Sequence, residues 1–131
     1  MPGSFFDSNI LLYLGSDPAK AARARALLLE GGTISVQVLN EVASVSLGKM
    51  RQSWQDTEEL LALLKSLLDV VALTVGDHER GLQLAKRYRT SIYDAMIIAS
   101  ALNAGCDTLY TEDLQAGLLI EGRLREVNPF D

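Results

Sequence analysis

Residues 91–114 read SIYDAMIIASALNAGCDTLYTEDL, and this stretch limits the possible folds more than any other. Over residues 92–102 it is apolar on every face except at Asp94, Ser100 and the Tyr93 hydroxyl. A helix that is apolar all round is a buried helix. Gly105 ends it as a C-terminal cap. A short strand over 108–110 follows, and two acids, Glu112 and Asp113, stand just beyond it. One carboxylate therefore occupies the first turn of a buried helix, and another lies past the next strand. A buried charge is costly unless it is paired or bound to a metal. The rest of the chain is read for what accompanies Asp94.

Ser4-Phe5-Phe6 reads as a first strand ending at Asp7, and residues 10–14 as a short helix closed by Gly15. Asp17-Pro18 starts a helix, an N-cap acid followed by proline at the first helical position. That helix runs to about Leu29 and stops at Gly31-Gly32. Residues 33–36 are a second strand. The helix after it reaches Gly48 and carries Val38, Glu41, Val42 and Val45 on one stripe at helical spacing. Ser53 caps a helix over 54–68, residues 70–74 are a third strand, and 77–88 form an amphipathic helix with Leu82 and Ala85 inward. Residues 124–127 are the last strand. Short apolar strands alternating with helices predict an α/β fold, a central, mostly parallel sheet of about five strands with helices on both faces. The length fits one domain over 1–131. Ligands in such folds bind at the carboxyl ends of the strands, near the point where strand order reverses. Asp7 and Asp113 both fall at strand ends.

Composition narrows the chemistry. A net charge of −5 argues against a generally basic nucleic-acid binder, but not against a nuclease whose acids hold metal, because bound cations reverse the local field. His78 is the only histidine, so a zinc site or a histidine base is not expected, and His78 reads as surface. Cys106 is the only cysteine and reads as a small core residue. With no internal disulfide possible, a reducing compartment, the cytoplasm, is expected. The N-terminus MPGSFFDSN shows no basic segment and no long apolar run, so no signal peptide is expected. No apolar run approaches the ~20 residues of a membrane span.

Each candidate acid has an ordinary structural reading. Asp7 can cap a turn after its strand. Glu41 can reach solvent from the edge of its helix. Asp94 gains from the helix dipole, and Asp113 can cap the turn LQAGLL. Together they point elsewhere. Two unit charges ~4 Å apart repel by about 4 kcal/mol at an effective dielectric near 20, so four converging carboxylates call for a cation or raised pKa values. Oxygen-only ligands select hard ions, Mg²⁺ or Mn²⁺.

FFDSNILLYL, the pair Asn40-Glu41, SIYDAMIIASAL and LYTEDL, in this order and spacing, resemble PIN-domain nucleases, and in particular the VapC-type toxins of bacterial and archaeal toxin–antitoxin pairs. The terminal NPF is similar to theirs as well, and the resemblance covers nearly the whole chain. It implies the PIN-like three-layer fold, with Asp7, Glu41, Asp94 and Asp113 as the catalytic, metal-binding acids and Mg²⁺ or Mn²⁺ as cofactor. Asn9 and Thr111 match the supporting asparagine and small hydroxyl. The usual DTN reads DSN here, which keeps the hydroxyl, and within TED the better match is Asp113 rather than Glu112. The resemblance further implies an endoribonuclease that leaves 5′-phosphate and 3′-hydroxyl ends, a homodimer, and a cognate antitoxin protein lying in a groove near the early helices. Lys20/Arg23/Arg25, Lys49/Arg51 and Lys86/Arg87/Arg89 are the basic clusters available to substrate phosphates, or else solvated helix faces. Two rivals are a receiver-type phosphorylation module and a catalytically silent interaction domain. The first needs an acceptor Asp at the end of the third strand and a lysine after the fifth. Here Asp69 precedes the third strand, and Arg123 and Arg125 flank the last.

Overall fold

Hydroxyl and acid caps decide where the helices begin. The structure, a computed structural model, describes residues 3–113 and 117–131. The turn LQAGLL, with the reading of Asp113 as its cap, falls partly outside them. Strand β1 (Ser4–Phe6) leads into α1 (Ser8–Leu12), which tightens into a 3₁₀ turn at Tyr13–Gly15. Helix α2 (Pro18–Leu29) opens on Asp17, whose carboxylate accepts from the backbone N–H groups of Ala19 and Lys20. Next come β2 (Thr33–Ser35) and α3 (Val36–Leu47). Val36 belongs to the helix rather than to the strand, because the Ser35 hydroxyl accepts from Val38 N–H and caps α3 there. Ser53 caps α4 (Trp54–Leu67), as its sequence position implies.

Two further boundaries differ from expectation. Strand β3 is Asp69–Val71, and α5 (Val75–Tyr88) begins two residues earlier than its first acid suggests. Thr74 and Asp77 form a reciprocal capping box, so Thr74 is the cap and Asp77 lies inside the first turn. The inward stripe of α5 is Asp77, Gly81 and Leu84, while Leu82 is 44% exposed. Gly81 sets that rotation: a Cβ there would lie 2.8 Å from the Met96 thioether of the next helix, so the two helices approach through it. That helix, α6 (Ile92–Asn103), is capped by Ser91 and buried from Ala95 to Leu102. Its first turn is not buried, with Ile92 47% and Tyr93 70% exposed.

Strands β4 (Thr108–Tyr110), β5 (Leu119–Ile120) and β6 (Leu124–Val127) complete a six-stranded sheet in the order β3-β2-β1-β4-β6-β5. All neighbours are parallel except β5 and β6. The sixth strand, β5, is two residues long, too short to show a period-2 pattern. It is folded back by the left-handed residues Glu121 and Gly122. The chain winds outward from β1 to β3, then crosses back to β4 on the other side of β1. Right-handed crossovers place α1–α4 on one face and α5–α6 on the other. Phe5, Ile34, Leu109 and Ile98 fill the core between the sheet and its helices. A receiver-type module winds its strands in the order 2-1-3-4-5, which this sheet does not follow. Among the described residues no helix is long and apolar enough to cross a membrane.

Candidate metal centre

The reversal of strand order lies between β1 and β4, and the acids gather at the carboxyl ends of those two strands. Asp7 continues β1, its N–H donating to the Tyr110 carbonyl at 3.0 Å. It is 3% exposed and held from three sides. Ser8 N–H donates to its Oδ1 at 2.7 Å, the Thr111 hydroxyl donates to its Oδ2 at 2.8 Å, and Asn9 Nδ2 lies 3.4 Å from Oδ2. Burial pushes the Asp7 carboxyl up to about 6. The Thr111 and Ser8 hydrogen bonds pull it back, and the charges of Asp94 and Asp113 push it farther up.

Asp94 stands in the first turn of α6, where its N–H donates to the Ser91 hydroxyl at 3.1 Å. It is half-buried, and its charge reaches Asp7 and Glu41. Glu41 comes in from α3, half-buried, with its Oε1 buried and meeting no hydrogen-bond donor. Burial raises its carboxyl, the charges of Asp7 and Asp94 raise it further, and the side chains of Ser8 and Gln37 pull it partly back. Asp113 is exposed at the rim. Its N–H donates to Thr111 Oγ1 at 3.3 Å, so one hydroxyl orients both Asp7 and the backbone of Asp113. Asn9 ties the two loops, its Oδ1 accepting from Glu112 N–H at 3.3 Å. Glu112 turns the other way: its Oε1 accepts from the Tyr13 hydroxyl at 2.6 Å and its Oε2 pairs with Lys20 at 3.2 Å.

Sequence reasoning passed over one acid. Glu126, on β6, is 1% exposed, and its Oε2 meets no hydrogen-bond donor. Burial and then the charges of Asp94 and Asp7 raise its carboxyl to about 7. The signal was available: in LREV an acid takes the inward parity set by Leu124.

Asp7, Glu41 and Asp94 thus share one electrostatic field, with Asp113 adding to it at Asp7. Among the described residues no three His, Cys, Asp or Glu side chains close on a single point. The donor set still fits a hard divalent cation. Every donor is a carboxylate oxygen, Glu41 Oε1 is buried without a partner, and the charges raise one another. His78 is exposed, and Cys106 is buried in the core, as expected.

An α/β sheet with acids at its switch point defines a class, and comparison with known proteins agrees with it. The PIN domain family model matches residues 4–116, and the chain belongs to that family. Among solved structures, a toxin–antitoxin complex from Klebsiella pneumoniae is similar at 26% identity and TM-score 0.71, covering 96% of this chain and 97% of that one. VapC20 of Mycobacterium tuberculosis, described as a sarcin–ricin loop cleaving toxin, shares the fold at 20% identity and TM-score 0.69, covering 84% and 89%. DNA-bound VapBC from Salmonella typhimurium does so at 22% identity and TM-score 0.65, covering 96% and 98%. Comparison with curated proteins gives no match.

Proposed function

We propose that this chain is a divalent-cation-dependent endoribonuclease, the toxin of a toxin–antitoxin pair. The observation that carries the reading is the shared field of Asp7, Glu41 and Asp94 at the switch point of a PIN fold. Asp7, Asp94 and Asp113 would hold Mg²⁺ or Mn²⁺, with Glu41 holding the attacking water through its unpartnered oxygen. The cation supplies positive charge against the scissile phosphodiester and acidifies that water. Thr111 and Asn9 fix Asp7 and the loop after β4, so that the acids keep their positions when RNA enters. Lys20, Arg23 and Arg87 already serve the fold: they bond Glu112, the Pro129 carbonyl and Glu121 respectively. Phosphate contacts therefore fall to the remaining cations, such as Lys49, Arg51, Lys86 and Arg89.

The proposed partners have surfaces that suit them. A groove of about 470 Å³ runs between α2 and α4, lined by Leu14, Leu28, Leu29, Leu60 and Leu63 with Arg25 beside them. An amphipathic antitoxin segment fits such a groove. Ile92, Tyr93 and Val75 expose apolar surface near Asp94, which suits a second copy of the chain in a homodimer. A toxin that cleaves RNA and is held by an antitoxin would work in the cytoplasm. The test is cleavage of RNA by the purified protein with Mn²⁺ or Mg²⁺, with EDTA, and as Asp7→Asn and Asp94→Asn. Metal-dependent cleavage that drops at least 100-fold in both folded variants is expected; equal cleavage by all three proteins would remove the site.

A further inference from the structure

Glu126 enters none of the roles assigned above, yet it is among the most deeply buried carboxyls of the molecule. Its place follows from strand register. Phe5 lies opposite Leu109 across β1 and β4, and Leu109 lies opposite Glu126 across β4 and β6. Side chains of a strand alternate between faces. Glu126 therefore shares a face with Asp7 and Thr111, which stand two residues farther along their own strands. The Asp7–Thr111 hydrogen bond confirms that these two face the same way. Glu126 thus lies one pleat below their level, a rise of about 6–7 Å, on the strand next to that of Thr111 and two strands from Asp7; it is close enough to Asp94 and Asp7 to feel the charge of both.

A carboxyl in that position needs a reason. Neither ion pair among the described residues includes it, and its Oε2 meets no donor. The charges it feels are those of Asp94 and Asp7, both of its own sign. A core position that only needed volume would be better filled by leucine or methionine, because an unpaired buried polar group is costly. The one kind of partner that satisfies Glu126, Asp7 and Asp94 together is a cation placed among them.

We propose that Glu126 is a fifth carboxylate of the metal centre, presenting its buried Oε2 to the cation position from one pleat below Asp7 and Thr111. This rests on the divalent-cation reading of the site. Glu126 completes the oxygen shell on the sheet side, where the rim acid Asp113 cannot reach. It strengthens cation binding without touching RNA.

The test measures Mn²⁺ binding by calorimetry, with no RNA present, on the wild type, Glu126→Gln and Asp94→Asn, and follows melting of each protein with and without Mn²⁺. Glu126→Gln is expected to bind Mn²⁺ at least fivefold more weakly, and to melt no lower than the wild type when metal-free but to gain less from Mn²⁺. Glu126→Leu, which leaves no amide to satisfy, should show the same loss and serves if the glutamine variant does not fold. Binding within twofold of wild type in a folded Glu126 variant, while Asp94→Asn loses it, overturns the role of Glu126 alone. Equal Mn²⁺ binding by the wild type and Asp94→Asn overturns the metal site itself, and this proposal with it.

Discussion

At Asp7 the fold and the charge oppose each other. Folding buries the carboxyl beside the Thr111 hydroxyl and within reach of the charges of Asp94 and Asp113, and its pKa rises from 3.8 to about 6. A group raised in this way favours the folded state while it is protonated. Its contribution is fully present below the unfolded value near 4 and is lost as pH rises through about 6. One pKa unit is about 1.4 kcal/mol, so the loss is on the order of 3 kcal/mol for Asp7. The metal-free protein should therefore lose stability between about pH 4 and pH 6. Urea midpoints across that range should fall less steeply for Asp7→Asn than for the wild type; parallel curves would contradict the assignment. Thr111 acts on the same carboxyl. Thr111→Val removes a hydroxyl that donates to Asp7 and accepts from Asp113 N–H. It should cost about 1–3 kcal/mol by leaving these groups unsatisfied. It should also move the pH profile of cleavage toward alkali, because a hydrogen bond that lowers the Asp7 pKa is lost.

At the scale of elements, close approach sets the positions of the acids. Gly32 leads into β2 with φ +154°, and a Cβ there would lie 2.6 Å from the Phe6 ring and 2.9 Å from the Ser4 carbonyl. Backbone cannot yield as a flexible side chain does. Gly32→Ala should destabilise by about 2 kcal/mol or more, read as a drop in melting temperature. Gly31-Gly32 was legible as a helix stop, but not as the contact that lets β2 sit beside β1. The strong local signals agree with the structure: the Asp17-Pro18 start, the Ser53 cap and the apolar run of α6, which is buried from Ala95 to Leu102 though not in its first turn. Where the reading missed, a weak cue lost to a tertiary one. Asp77 looked like the start of α5, but it is the inner half of a capping box led by Thr74. Leu82 looked inward, but packing of α6 through Gly81 turned Leu84 there instead.

For the whole molecule, the acids at the strand ends and the apolar groove between α2 and α4 occupy separate surfaces. A ligand that binds only the folded state adds RT ln(1 + [L]/Kd), about 2.7 kcal/mol at 100-fold saturation. Mn²⁺ should therefore raise the melting temperature of the wild type by several degrees, and that of Asp94→Asn little or not at all. The groove between α2 and α4 lies among other residues than the acids, so the two functions should separate. Leu63 is 46% exposed and lines the groove. Leu63→Asp should abolish inhibition by the antitoxin while leaving RNA cleavage within about twofold of wild type, both measured with the purified pair.

The order of strands and helices, the buried helix and the acids at strand ends were all present in the sequence, because caps, periodicity and apolar runs act over a few residues. Which acids come together was decided only in three dimensions. TED holds two adjacent carboxylates that no local rule separates. The fold turns Glu112 onto Tyr13 and Lys20, and leaves the charge of Asp113 acting on Asp7. Glu126 likewise reads as one polar residue in a strand until the register of β4 and β6 sets it opposite Leu109, on the face that carries Asp7 and Thr111. Local pattern sets what each segment becomes. Convergence depends on pairings between distant segments, and strand register is where those are settled.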